Sequence, residues 1–370
     1  MPKLRSAGRR QREHLRGTDV PRAAYPPPRK RLDIRGLRLP RESGRGSRRA
    51  DVGSPAESQI LHPLYLPFTQ EQLRDHFAPA GTEATSADRH LAYYVKSAQA
   101  AKDWAELPLS GPPGEVATVR KHGLQIQKDE RFWVVTALMS IFHAPGRVPV
   151  LAEMLRRCLG EVPPIEGLAT WEQALGDPQQ LNLYFEVSLP TPKGYRKYLV
   201  DRLPQRVLVH YVLESATRTA ADGRALEGAT KVDAVLIAPK TGFAVLFEAK
   251  VLADAACSVG FDVLRNQIAR NIDVMLEPNP NLRAPLTQRR PDRTCFVLIT
   301  PEIFRDHPES RLYGWLMRDY QSNPDALERD LPHRAGIDFS PVARRLGWLT
   351  WKDCNQLLSG ACPWLAGTGN

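Results

Sequence analysis

The stretch from Lys231 to Lys250, KVDAVLIAPKTGFAVLFEAK, constrains this chain most. Two apolar runs flank Pro239-Lys240-Thr241-Gly242, a strong turn signal, and together they predict a buried β-hairpin. Three charges interrupt it: Asp233, Glu248 and Lys250. If the turn closes tightly, Ala238 pairs with Phe243, and stepping back equally along both strands sets Asp233 opposite Glu248. Directly opposed residues hold their Cβ atoms about 4.5–5.5 Å apart, where like charges are destabilising. Something positive is expected between them.

Glu248 and Lys250 are two apart on a strand and leave the same face of the sheet, while Phe247, Ala249 and Val251 occupy the other. Two carboxylates and one ammonium therefore converge on an otherwise apolar surface. Hard divalent cations such as Mg²⁺ take oxygen ligands, commonly carboxylates plus phosphate and water. A cation there neutralises the carboxylates and acidifies bound water, and a lysine beside it orients that water or offsets developing charge. Such a set of groups suits hydrolysis of a phosphodiester.

Asp, a hairpin and then Glu-x-Lys resembles the signature of the PD-(D/E)XK nuclease superfamily of restriction endonucleases and RecB-type nucleases. Asp233 matches the first acidic residue and Glu248-Ala249-Lys250 the (D/E)xK, while Val232 stands where proline is frequent. A lone Glu-x-Lys is commonly a solvated strand edge. Here the matching register, the apolar strands and the flanking helical patterns coincide. The resemblance implies an α/β fold with a restriction-endonuclease-like αβββαβ core. It also implies Mg²⁺ (or Mn²⁺) held by Asp233 and Glu248, with the Ala249 carbonyl as a backbone ligand and Lys250 acting on the water. The implied activity is that of a nuclease, an endonuclease or an exonuclease, cutting nucleic acid, DNA in preference to RNA, by direct water attack. Restriction or defence against foreign DNA is the use implied. A catalytically inactive binding or assembly module that retains the fold is the alternative.

Two further positions follow from the resemblance. Gln205 to Arg218 reads as a helix with an apolar stripe of Val207, Leu208, Tyr211 and Val212, and Glu214 falls at its margin. An acidic residue on the helix before the core strands often joins the metal site, and Glu214 matches that position; a solvent-facing glutamate is the other reading. Phe261 to Glu277 reads as an amphipathic helix with Gln267 and Asn271 one turn apart at its edge. Gln267 matches a site glutamine of RecB-type nucleases, and Asn271 stands where that branch has tyrosine. Arg265, Arg270 and Asn271 are candidate nucleic-acid contacts, with ordinary surface residues as the competing reading.

The net charge of +10 is unevenly spread. Residues 1–50 hold 16 Lys and Arg against 4 Asp and Glu, a net of +12, which leaves 35 against 37, a net of −2, for the rest. Basic character belongs to the tail, so the overall charge says nothing about a catalytic domain. Residues 1–57 are rich in Arg, Pro, Gly and Ser without a sustained period, and read as a disordered basic tail. A DNA-binding arm, a solvated tail, a targeting segment and translation from an unused upstream start all remain open for it. No apolar run approaches the roughly 20 residues that span a bilayer, so no membrane partner and a cytoplasmic location are expected. The five cysteines show no Cys-x-x-Cys spacing and read as small core residues.

Residues 58–200 read as a mainly helical N-terminal domain, with helices over 86–106, 128–143, 148–159 and 170–175 and a strand over 181–189. Residues 201–340 read as the nuclease-like domain, closing on the buried strand TCFVLIT at 294–300. The remaining core strand is sought at 224–228. Residues 341–370 read as a C-terminal helical extension. Oligomeric state stays open, a dimer included.

Overall fold

The expected hairpin forms with the expected register. In the computed structural model, which describes residues 59–77, 84–106, 126–256 and 260–365, strands β4 (Thr230–Ala238) and β5 (Phe243–Ala249) pair antiparallel, beginning with Ala238 opposite Phe243. Gly242 closes the turn at φ 72°, and its N–H donates to the Ala238 carbonyl at 3.0 Å. That backbone region favours glycine because it has no Cβ to clash. The basic tail at 1–57 lies outside the described residues.

Ahead of the hairpin come β1 (Ile60–His62), β2 (Leu66–Thr69) and helices α1 (Gln70–Asp75), α2 (Ala84–Glu106), α3 (Glu130–Phe142), α4 (Arg147–Leu159) and α5 (Trp171–Leu175). Strand β3 (Asn182–Leu189) and helices α6 (Lys193–Asp201), α7 (Leu203–Arg206) and α8 (His210–Ala221) follow. After the hairpin come α9 (Gln267–Met275), β6 (Thr294–Thr300), α10 (Glu302–Asp306), α11 (Leu312–Ser322), α12 (Asp325–Asp330), α13 (Ser340–Ala343), β7 (Leu346–Thr350) and α14 (Trp351–Leu357).

The chain is thus mixed α/β, built on a five-stranded mixed sheet in the order β3-β4-β5-β6-β7. The first two neighbouring pairs are antiparallel and the last two parallel. Both faces are covered, as parallel strands require. On one side Phe247, Val297 and Ile299 pack against α2, α3, α4 and Trp351. On the other Leu246, Phe296 and Leu298 pack against α9 and α11 through Ile268, Ile272, Tyr313 and Met317.

Three expectations change here. The strand sought at 224–228 does not form; β3 takes that place beside β4, with Leu189 paired to Thr230. The helix expected at 205–218 is interrupted, because Val207 is extended and the next helix starts at His210. Half of its stripe stays outside the core: Val207 is buried, but Leu208 and Tyr211 are exposed. The 341–370 segment is not purely helical: β7 adds the last strand of the sheet. The described residues form one compact unit, in which β3 joins the hairpin's sheet and the N-terminal helices pack on that sheet's face.

Candidate active site

The β4–β5 ladder stops at Ala234 opposite Phe247. One step on, the Asp233 side chain takes over from the backbone: its Oδ2 accepts the Ala249 N–H at 2.8 Å. On the other flank β3 pairs Phe185 with Ala234 and Val187 with Val232, which leaves Glu186 level with Asp233. Phe185 and Ala234 enter one core, Val187 and Val232 the other, so the alternation breaks at this level in both strands. Glu186 makes the break with φ 55°, the positive value of a non-glycine residue, at a cost on the order of 1–3 kcal/mol. It is buried, with Lys231 Nζ 2.7 Å from its Oε2.

Asp233 and Glu186 line a cavity of about 740 Å³ together with Tyr93, Glu130, Arg131 and Leu252. Glu130 arrives there because Asp129 caps α3, accepting the Arg131 N–H at 3.1 Å, so that Glu130 is the first residue of the helix. A negative charge at a helix start is favoured by the helix dipole.

Glu248 points to the α9 side and is 1% exposed. Its Oε1 accepts from Lys250 Nζ and from Gln267 Nε2, both at 2.6 Å, and its Oε2 accepts from Asn271 Nδ2 at 2.8 Å. Asn266 caps α9 and thereby sets Gln267 and Asn271 one turn apart, facing Glu248. Lys250 is held at both backbone ends: its N–H donates to Ile299 and its carbonyl accepts from Trp351 Nε1. Its Nζ lies 3.6 Å from Glu130 Oε1, so one ammonium bridges carboxylates from β5 and α3.

Burial shifts these groups unequally. It pushes the Asp233 carboxyl well above its ordinary pKa, Glu248 pushes the same way, and Lys250 opposes both. Burial likewise raises Glu130, with Lys250 pulling it back. For Lys250 burial works against the charge, yet Glu248, Glu130 and Asp233 outweigh it and hold its pKa above the usual lysine value. The ammonium is therefore charged at neutral pH.

The structure brings together Asp233, Glu248, Lys250, Gln267 and Asn271, and adds Glu130. It does not bring Glu214, which is more than half exposed on α8 and pairs with His210 at 3.2 Å. Arg265 is not a surface contact: it is fully buried, bonded to Glu227 and Asp273 at 2.9 Å each, and stacked over the Tyr195 ring. Arg270 is spent on Glu227 and on the carbonyls of Gly228 and Ala229. Asn271 is 1% exposed and orients Glu248 instead of meeting solvent. The only sequence signal for Glu130 is an acidic pair opening the most apolar helix, and nothing local ties that helix to Lys250.

Comparison with protein-family models, curated proteins and solved structures finds no match. Function rests on the geometry alone.

Whether a divalent cation suits this site turns on its charge. Asp233, Glu248 and Glu130 surround one ammonium, three carboxylates against a single cation, while Glu186 and Arg131 on the same cavity offset each other, and every candidate donor is a hard oxygen. Both properties fit Mg²⁺ or Mn²⁺. The side chains are not gathered as a finished metal site, however: among the described residues no three His, Cys, Asp or Glu stand ready to hold an ion. Glu248 already accepts three hydrogen bonds. No described helix is long and apolar enough to cross a membrane.

Proposed function

We propose that this chain is a metal-dependent nuclease of the PD-(D/E)XK type, hydrolysing phosphodiester bonds of nucleic acid, DNA in preference to RNA. One observation carries the reading: Lys250, buried, sits between Glu248 and Glu130 beside Asp233, at the end of the hairpin whose sequence suggests it. The element order supports it. With α5 and the α6–α8 segment between β3 and β4 set aside as additions, helix α4, strands β3, β4 and β5, helix α9 and strand β6 follow an αβββαβ order, with two antiparallel neighbours followed by a parallel one.

In this reading Asp233 and Glu248 hold Mg²⁺ or Mn²⁺, helped by the Ala249 carbonyl, and Glu130 assists in the place expected of Glu214. A bound divalent cation supplies charge to phosphate oxygens and makes water more acidic. Lys250, as a charged ammonium, orients the attacking water and offsets charge on the phosphorane-like transition state. Gln267 and Asn271 position Glu248. Water attacks directly, without a covalent enzyme intermediate.

A second reading, an inactive binding or assembly module, is favoured by the saturated Glu248 carboxylate. Incubating the full chain with circular and linear DNA and with RNA, in Mg²⁺ or chelator, separates the two. Chelator-sensitive cleavage abolished by Asp233→Ala and by Lys250→Ala is the expected result. Cleavage indifferent to both substitutions removes the mechanism, and no cleavage with no cation bound favours the module.

A further inference from the structure

The chain leaves β3 at Leu189 and re-enters β4 at Thr230, two residues that pair with each other. Glu186 and Asp233 lie three residues inside those ends, about 10 Å along the strands at roughly 3.3 Å per residue. The intervening segment, residues 190–229, therefore rises from the end of the sheet that carries the candidate site. It has its own small core of Tyr195, Leu199, Leu203, Val207, Ala216 and Leu226.

With Tyr195 and Leu199 turned inward, α6 presents Lys193, Arg196 and Lys197 to solvent. Positions three and four apart share a helix side, and like charges there repel by a few tenths of a kcal/mol unless something negative lies against them. Among the described residues none of these three side chains has an ion-pair or hydrogen-bond partner. They line an open cavity of about 470 Å³ together with Ala220, Gly223 and Arg224. Asp201, at the end of α6, is the one carboxylate of the lining, and Arg224 is paired with Asp222.

The arginines expected to meet a polyanion, Arg265 and Arg270, are consumed inside the fold. Among the described residues, three cations without partners stand together instead on α6, besides the unpaired Lys128 at the candidate site's own cavity. We propose that the Lys193–Arg196–Lys197 cavity is a phosphate subsite that grips the nucleic-acid backbone beyond the phosphodiester presented to Asp233 and Lys250. The identity of the ligand rests on the nuclease reading; the anion site itself rests on the three unpaired cations and the cavity they line.

The test is binding of fluorescently labelled duplex and single-stranded DNA by the full chain in chelator, across a salt series. Replacing Lys193, Arg196 and Lys197 together by Ala is expected to weaken binding about tenfold or more near physiological salt. It is also expected to flatten log K against log[salt] by about 2 to 3, from roughly 0.7–0.9 for each phosphate no longer neutralised. All three side chains are exposed, so thermal unfolding is expected to stay put; if the triple variant does not fold, Arg196→Ala and Lys197→Ala alone each read a slope change of about 1. Unchanged affinity and slope in a protein that cleaves with Mg²⁺ overturns the subsite and leaves the nuclease reading standing. Weakened binding in a protein that cleaves nothing keeps the subsite and removes the nuclease reading. Failure of the wild type to bind either DNA removes the subsite and leaves the nuclease reading to the cleavage assay.

Discussion

Glu130 Oε1 lies 3.6 Å from Lys250 Nζ, and this contact ties the first turn of α3 to the end of β5. It locates the third acidic group of the site on the N-terminal helical layer and not on α8. Glu130→Gln is accordingly expected to lower Mg²⁺-dependent cleavage about a hundredfold or more, in the range by which a positioned acid–base partner contributes. Glu214→Gln, in an exposed pair with His210, is expected to leave the rate unchanged. Parallel steady-state assays check both, and equal loss from the two variants contradicts the assignment.

Removing the ammonium leaves carboxylates facing one another. Lys250 is 4% exposed and bonded to Glu248, so Lys250→Ala strands a buried charge, a change that typically costs about 3–5 kcal/mol. Urea unfolding at neutral pH is expected to show a loss of that size alongside the loss of cleavage. A variant as stable as wild type argues that the ion pair is not the organising contact.

Asp233 makes the opposite prediction. Burial and Glu248 raise its folded pKa above the unfolded value, so the folded state binds the proton more tightly. The stabilisation is full below the ordinary aspartate pKa and is lost as pH rises through the raised folded value. Asp233→Asn removes the titration while Oδ1 of the amide can still accept the Ala249 N–H. The variant is expected to gain stability over wild type progressively as pH climbs from the ordinary carboxylate range, though it cleaves nothing. Denaturant titrations at several pH values read this directly, and parallel pH profiles for the two proteins count against the shift.

Much of this fold is legible in the residues. The hairpin is, because strict apolar runs and Pro239–Gly242 fix turn and register locally, and so Asp233, Glu248 and Lys250 come together on sequence grounds. Gln267 is legible even though its helix begins after Asn266 and not at Phe261, since the edge position survives the shorter helix. What stays hidden depends on contacts between distant segments. β3 looks like a strand, but the 40 residues between it and β4 conceal the pairing of Leu189 with Thr230. β7, five residues long, is too short to show a period, and it borders the Thr350 capping box that announces α14. Arg265 sits in an ordinary polar context; only the fold reveals Glu227 and Asp273 on either side of it.

That burial changes what a substitution at Arg265 reports. A surface arginine removed from a nucleic-acid interface lowers affinity and leaves stability alone. Arg265→Ala instead leaves two carboxylates, Glu227 and Asp273, buried without their shared guanidinium, at about 3–5 kcal/mol. Asp273 keeps His333 and Arg334, at 2.9 and 2.6 Å, whereas Glu227 keeps Arg270 alone at 3.3 Å, so the larger share of the loss falls on Glu227. Glu227→Gln in the Arg265→Ala background is therefore expected to recover part of the stability, whereas Asp273→Asn, which weakens the pairs to His333 and Arg334, is expected to recover none. A double-mutant cycle by urea unfolding decides it, and strict additivity of Arg265→Ala with Glu227→Gln contradicts the pairing.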